Sequence, residues 1–503
     1  MKRSTAWWLA GSVVAIAVIV LVWRGDFDRR PPLSLARDAP VVLRLPSFAL
    51  NLNPTTMVDV ESRQVATLLH VGLILKAQDG TVHPMLASSW RQEGSTWEFD
   101  LKPGVTFSNG QAVAPADVVR SLCNAMQPSA ALSWALASIA REPSADGKSV
   151  FCTGLAAVGD SKVRITESRP SSSLLDALGG PAGWVLPGPG VADGQYGVIP
   201  GAGPYVVKEI VPDSRVVLEP RSSGAAVQAG AARVQFDYIP NDSQAAQRFA
   251  AGKLHVLDLT SPSLVELLGA DPSAGTLKYP GSLHKVEWER YRVVIVNLKA
   301  LQAKGFTQTQ ALAFVKALSA AVDRKGLERL ASGVARSFQA PYPPTPDIGN
   351  AVAADADFPA TELTILTESD AFSDAIAAFL PRSVHGVKTA YRGADKGVLL
   401  TSLFKGDFEV ISMVLEAPVN SAKFWQALFT PGNPYSAIGV PIDGMEKLDP
   451  STKEGVLAVG RLIAERGNWV MLLKEQRIQA TAPGVKGIIF TPSGQTNLAA
   501  IAR

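Results

Sequence analysis

From residue 41 onward the chain switches repeatedly between a hydrophobic period of two and one near 3.6. Val41-Val-Leu-Arg-Leu45 is an apolar, β-branched run that predicts a strand. Between Ser62 and Leu75 the apolar positions Val65, Leu68, Leu69, Val71 and Leu73 begin with helical spacing and become strand-like towards Ile74. Gln78-Asp-Gly80 reads as a tight turn. Trp97-Glu-Phe-Asp-Leu101 and Lys162-Val-Arg-Ile-Thr166 alternate apolar and polar residues, as half-buried strands do. Between them Pro115-Ala-Asp117 opens a helix with Val118, Val119, Leu122 and Met126 on one side; proline and an early carboxylate both suit a first turn.

The second half continues the alternation. Leu174 to Leu178 predicts a short helix ended by Gly179-Gly-Pro181, and the Gly- and Pro-rich stretch to Gly203 predicts a crossover between lobes. Tyr205-Val-Val and Arg215-Val-Val-Leu218 form a hairpin pattern, Val234-Gln-Phe-Asp-Tyr238 a strand, and Ser243 to Ala251 a helix. Val293-Val-Ile-Val296 is continuously β-branched, as expected of a strand buried on both faces. Thr309 to Leu330 is helical, with an interruption near Asp323. Leu363 to Leu366, Ala371 to Phe379 and Val387 to Tyr391 read as β-α-β; Phe408 to Ser412 and Val456 to Glu465 carry the pattern on. The class is mixed α/β, without a repeat or a low-complexity tract.

Length and charge sharpen this picture. At 503 residues the chain exceeds the roughly 250–300 that one core serves, so two or three lobes are expected. The net charge of +3 is concentrated at the start: Lys2, Arg3, Arg24, Arg29 and Arg30 stand against Asp26 and Asp28. Residues 31–503 therefore hold 43 residues of each sign, which gives no electrostatic footprint for nucleic acid. Trp7 to Trp23 is a 17-residue run without a charge, preceded by Lys2 and Arg3. It predicts a transmembrane signal anchor with the N-terminus in the cytoplasm and the body exported; a cleaved signal peptide is the alternative. Arg30 to Pro40 is a polar linker.

The search for chemistry finds little. No two of His70, His83, His255, His284 and His385 are closer than 13 residues, so no local metal-binding motif exists and no cofactor is expected. H-E-x-x-H, G-x-S-x-G and phosphate-loop motifs are absent, and no nucleophile–base set stands out, so an enzyme is not expected. Cys123 and Cys152 are the two cysteines; export permits a disulfide between them, with buried free thiols as the alternative.

Several segments, taken in order, carry a resemblance. Leu52-Asn-Pro54, His70-Val-Gly-Leu73, Pro84-Met-Leu-Ala-Ser-Ser-Trp90, Trp97 to Gly110 (WEFDLKPGVTFSNG) and Ala116-Asp-Val-Val-Arg-Ser121 are followed by Gly201-Ala-Gly-Pro-Tyr205, Ala250 to Val256, Ala317 to Arg324 and Val485-Lys-Gly487. This series resembles the bacterial extracellular solute-binding proteins of family 5, the oligopeptide, dipeptide and nickel class of ABC importers. Asn53, His255 and Met413 depart from its pattern. The resemblance implies a two-lobed periplasmic-binding-protein fold with an extra subdomain, preceded by the N-terminal transmembrane helix or signal sequence. Lobe I would comprise 41–71, 197–283 and 480–503, the inserted subdomain 72–196, and lobe II 284–479, after a segment 1–30 and linker 31–40. Trp90, Trp97, Phe99 and Phe107 would be core aromatics of the subdomain.

The implied function is that of a periplasmic substrate-binding component anchored to the inner membrane, which binds a peptide or similar small solute and delivers it to permease subunits. A membrane-anchored interaction or sensory protein that keeps the fold is the alternative. Met57-Val58-Asp59-Val60 would run along a peptide backbone through strand-like hydrogen bonds. Met413 and Glu416 fall on the family's ammonium-binding motif, with Glu416 as the anchor, and Phe424 and Trp425 would shape the pocket.

Overall fold

The computed structural model describes residues 40–503 except 58, 131, 169–173, 190–193, 332, 338–356, 418–420, 432–439 and 451. The run Trp7–Trp23 and Val58 thus lie outside the described residues. Among the described residues no helix is long and apolar enough to cross a membrane.

One twelve-stranded sheet runs through the body. Its strands are β1 (Val41–Leu45), β2 (Tyr205–Val211), β3 (Arg215–Pro220), β4 (Val234–Tyr238), β5 (Val256–Asp258), β6 (Ser282–Val296), β7 (Ala335–Ser337), β8 (Glu362–Glu368), β9 (Ser383–Val384), β10 (Val387–Ala394), β11 (Val410–Glu416) and β12 (Trp469–Thr481). The order is β2-β3-β4-β1-β5-β12-β6-β11-β8-β10-β9, with β7 paired onto β12. β1 runs parallel to β4 and β5, and β8 parallel to β10 and β11, so each half of the sheet contains a parallel core. Helices cover these faces, and Val41, Leu43, Ile365, Val410 and Ile411 are buried accordingly.

β6 and β12 join the halves. At about 3.3 Å per residue each spans roughly 40–50 Å, enough to serve both lobes. They pair antiparallel from Ser282 opposite Thr481 to Ile295 opposite Trp469. The register slips between Glu287 and Arg290, a bulge that leaves Trp288 and Glu289 without ladder partners on β12. The slip re-aims the side chains that follow, at the point where the ladder passes from one half to the other.

The segment between β1 and β2 forms a separate antiparallel sheet. Its strands Ala87–Glu93, Thr96–Leu101, Lys162–Thr166 and Leu155–Val158 lie in that order, with the helix Pro115–Met126 packed alongside. Phe99 and Phe107 are fully buried, and Trp97 donates from Nε1 to Glu167 Oε2 at 3.0 Å. Cys123 on that helix is bonded to Cys152. The interruption near Asp323 is a helix boundary: Gln308–Ala320 ends, and Asp323 caps Arg324–Leu330 by accepting from Gly326 N at 2.9 Å.

Two motif glycines are explained by close backbone approach. A Cβ on Gly72 would lie 2.0 Å from Leu178 O, and one on Gly201 would lie 1.9 Å from Leu69 O. His70, beside both contacts, is fully buried and stacks on Trp184 with ring centroids 5.6 Å apart. Neither of its ring nitrogens has a hydrogen-bond partner among the described residues, and burial pulls its pKa down to about 3. His255 accepts from Val42 N at 2.8 Å through Nδ1; burial, then the nearby Arg503, lowers its pKa to about 4.

Candidate functional site

A cavity of about 650 Å³ lies between the two halves of the sheet, with walls from both. The helix α1 (Val60–Leu69) supplies one wall. Asp59 caps it, accepting from Ser62 N at 2.7 Å, so the carboxylate sits at the positive end of the helix. Glu61 and Arg63 project from its first turn. Opposite stand α2 (Ala371–Ala377), capped by Asp370, which accepts from Phe372 N and Ser373 N, and α3 (Lys396–Lys405), capped by Asp395. The floor is β6 and β11, which bring Arg290, Arg292, Met413 and Glu416 into the lining.

Two ion pairs cross the cavity. Glu61 Oε2 meets Lys396 Nζ at 2.5 Å, and Arg63 Nη2 meets Glu416 Oε2 at 3.4 Å. All four side chains are largely buried. Burial alone would raise the Glu61 pKa, but the Lys396 ammonium outweighs it and holds the carboxyl below its ordinary value. Burial opposes the charge on Lys396, and Glu61, Glu368 and Asp59 together outweigh that and raise it. Both groups are therefore charged at neutral pH.

Beneath them Glu475 pairs with two arginines: Arg292 donates to it from Nε at 2.6 Å, and Arg290 Nε lies 2.8 Å away as an ion pair. Register makes this possible: Arg290 lies opposite both Glu416 on β11 and Glu475 on β12. Arg292 also donates to Ser373 Oγ at 3.0 Å. Trp288, released by the bulge, is held between guanidiniums, with Arg477 Cζ 3.9 Å and Arg290 Cζ 4.6 Å from its ring centre. Its Nε1 donates to Glu416 Oε1 at 2.9 Å. At the mouth, α3 presents Phe404, 48% exposed, with Leu400 and the buried Leu403 lining the cavity beside it. The site thus offers paired charges at depth and apolar surface at its rim.

Asp59, Val60, Met413, Glu416 and Phe424 all line this cavity. Glu416 does so with both oxygens engaged, by Arg63 and Trp288, rather than as a free anchor. Met57 lies away from the lining, buried with Ala66 and Trp184. Trp425 is also away from it: it is buried edge-on against Tyr291 at 5.1 Å and Trp469 at 5.6 Å, inside the second half. Sequence reasoning missed Glu61, Arg63, Arg290, Arg292, Glu368 and Lys396. One signal was available: Arg290 and Arg292 alternate within a strand that runs directly into the apolar Val293–Val296, a pattern that buries charge.

With this geometry in place, the comparisons decide the family. The model describing bacterial extracellular solute-binding proteins, family 5, matches residues 81–368. The chain belongs to this family. Among its relatives, the periplasmic oligopeptide-binding protein OppA of Escherichia coli K12 is 26% identical over 273 residues, and the periplasmic murein peptide-binding protein MppA of the same organism 24% over 271. These matches span about half of this chain and about half the length of each relative.

Solved structures extend the likeness over nearly all of the chain. The E. coli murein tripeptide binding protein MppA gives a TM-score of 0.74 at 18% identity, covering 93% of this chain and 99% of that one. Haemophilus influenzae OppA in complex with RPPGFSPFR gives 0.73 at 16%, with the same coverage. This family member therefore has the two-lobed α/β binding-protein fold, and its cavity lies between the lobes.

Proposed function

We propose that this family 5 protein is the periplasmic substrate-binding component of an ABC importer. It captures a peptide or similar small zwitterion between its lobes and passes it to membrane permease subunits. The carrying observation is the cavity of about 650 Å³, walled by both lobes and crossed by the Glu61–Lys396 and Arg63–Glu416 pairs. Its volume suits a small solute, and buried groups of both signs suit a ligand that carries both charges. Asp59, Val60, Met413, Glu416 and Phe424 face the solute in this reading.

The mechanism is a shift between open and closed lobes. Ligand favours the closed form by its extra contacts there, and no covalent step is required. The long strands β6 and β12 run through both halves of the sheet and act as the hinge. The N-terminal run Trp7–Trp23 serves as membrane anchor or export signal, and an anchor would hold the binder near its permease at high effective concentration. The relatives' names support both the periplasmic location and the peptide class.

Calorimetry of the protein with di-, tri- and pentapeptide mixtures, joined to small-angle scattering, tests this. Saturable binding with a decrease in radius of gyration is expected. Absence of any stabilised complex across peptides, opines and metal chelates would favour a non-transport interaction protein on the same fold.

A further inference from the structure

The charges lining the cavity do not balance. Among the described residues seven carboxylates stand against five cationic side chains. Each cation is committed: Arg44 to Asp242, Arg63 to Glu416, Lys396 to Glu61, and Arg290 and Arg292 to the underlying Glu475. Six of the carboxylates are committed as well, either in those pairs or as the helix caps Asp59, Asp370 and Asp395. Glu368 alone has no hydrogen bond or ion pair to its side chain among the described residues. It ends β8 and faces the cavity, one residue from the turn into α2.

Its surroundings deepen the imbalance. Burial is the main influence on the Glu368 carboxyl and raises its pKa; Asp370 and Glu61 add to that, while Lys396 and Arg292 oppose it. Lys396 is paired with Glu61 and Arg292 with Glu475, and neither makes an ion pair with Glu368. A carboxylate in this position is poorly solvated, and a ligand cation would supply the missing partner at little desolvation cost to the protein.

Building on the solute-binding reading of this cleft, we propose that Glu368 is the anchor for a cationic group of the ligand, an ammonium or a guanidinium, in place of Glu416. Glu416 is the weaker candidate because Arg63 and Trp288 already donate to its two oxygens. For a peptide the cation is either the amino terminus or a Lys or Arg side chain. The apolar lining at Leu400 and Phe404 then receives the apolar part of the same ligand.

Titration calorimetry of full-length wild type and Glu368→Gln, with four probes, tests this. The probes are trialanine, N-acetyl-trialanine, N-acetyl-Ala-Lys-Ala and putrescine. A charge-assisted bond of this kind is worth about tenfold to a hundredfold in affinity. Glu368→Gln should therefore weaken the cationic probes by at least about tenfold, and the loss caused by acetylating trialanine should largely vanish in the variant. Whether trialanine or N-acetyl-Ala-Lys-Ala shows the Glu368 dependence tells the amino terminus from a side chain. Putrescine binding that depends on Glu368, without any peptide binding, would leave the cation site standing and remove the peptide reading. Equal affinity of wild type and Glu368→Gln for trialanine, N-acetyl-Ala-Lys-Ala and putrescine, or no probe binding wild type, would overturn the proposal. The variant should melt no lower than wild type at pH 7, since it replaces an unpaired buried charge with a neutral amide.

Discussion

Acid should destabilise the protein through His70, and the size of the effect can be worked from its environment. The ring is fully buried, stacks on Trp184, and has no hydrogen-bond partner at either nitrogen among the described residues. Burial pulls its pKa from 6.5 to about 3. The folded state therefore keeps the ring neutral, while the unfolded chain takes up a proton below pH 6.5. Stability from a depressed histidine is fully present above the unfolded value and is lost as pH falls from 6.5 towards 3. At about 1.36 kcal/mol per pH unit, moving from pH 7.5 to 5.0 costs about 2 kcal/mol. His255, with a pKa of about 4, adds a similar loss over the same window.

Asp59 and Glu368 act in the opposite sense. Burial raises both, so protonating them on acidification favours the folded state. The decisive quantity is therefore the difference between wild type and His70→Phe, in which those groups cancel. Phenylalanine keeps the stacking shape and loses no hydrogen bond. Urea denaturation followed by tryptophan fluorescence at pH 7.5 and 5.0 reads this difference. The variant should be relatively more stable at pH 5.0 by about 2 kcal/mol than at pH 7.5. A difference that stays constant between the two pH values would show that His70 does not remain neutral in the fold.

The remaining predictions concern the cleft and its scaffold. Glu416→Ala strips Arg63 and Trp288 of their shared acceptor, and urea denaturation should show a loss of about 3–5 kcal/mol. Glu416→Gln keeps an acceptor for Trp288 and should lose clearly less; equal losses would argue against the arrangement. Cys123→Ser opens a disulfide loop with a sequence separation of 29, and should cost about 3–4 kcal/mol under non-reducing conditions. Identical melting of wild type with and without reductant would contradict that bond. Gly201→Ala forces a Cβ against Leu69 O and should lower stability by about 1–3 kcal/mol, and thermal melting within a degree of wild type would speak against this packing.

Local order was open to reading because it depends on residues close in sequence. The period-two runs Trp97–Leu101, Lys162–Thr166 and Val234–Tyr238 are strands, and Pro115 does begin a helix that runs to Met126. The glycine motifs were legible as motifs, but their reason was not: Gly72 meets Leu178, and Gly201 meets Leu69, across the fold. Some elements carried weak local signals. β12 is apolar at Met471-Leu-Leu473 yet polar at Lys474-Glu-Gln-Arg477, so no single period marks it, although it is a strand throughout. α3, with Lys396 at its start, lacked a strong one-sided pattern because Val398 and Phe404 face outward.

The sequence by itself determined the class, the ordered motifs of the family, the neutral body and the placement of excess charge at the start. Hydrophobic period, turn chemistry and residue counts are properties of the chain and survive without coordinates. Only the tertiary structure decided which charges share a cavity. Glu61 and Lys396 are 335 positions apart and Arg63 and Glu416 are 353, and each pair is formed by tertiary packing rather than by spacing. It also gave Glu416 two internal partners, Arg63 and Trp288, and left Glu368 as the cavity carboxylate without one among the described residues. Whether a buried charge is free depends on what other segments bring to it, and that depends on the packing of the lobes.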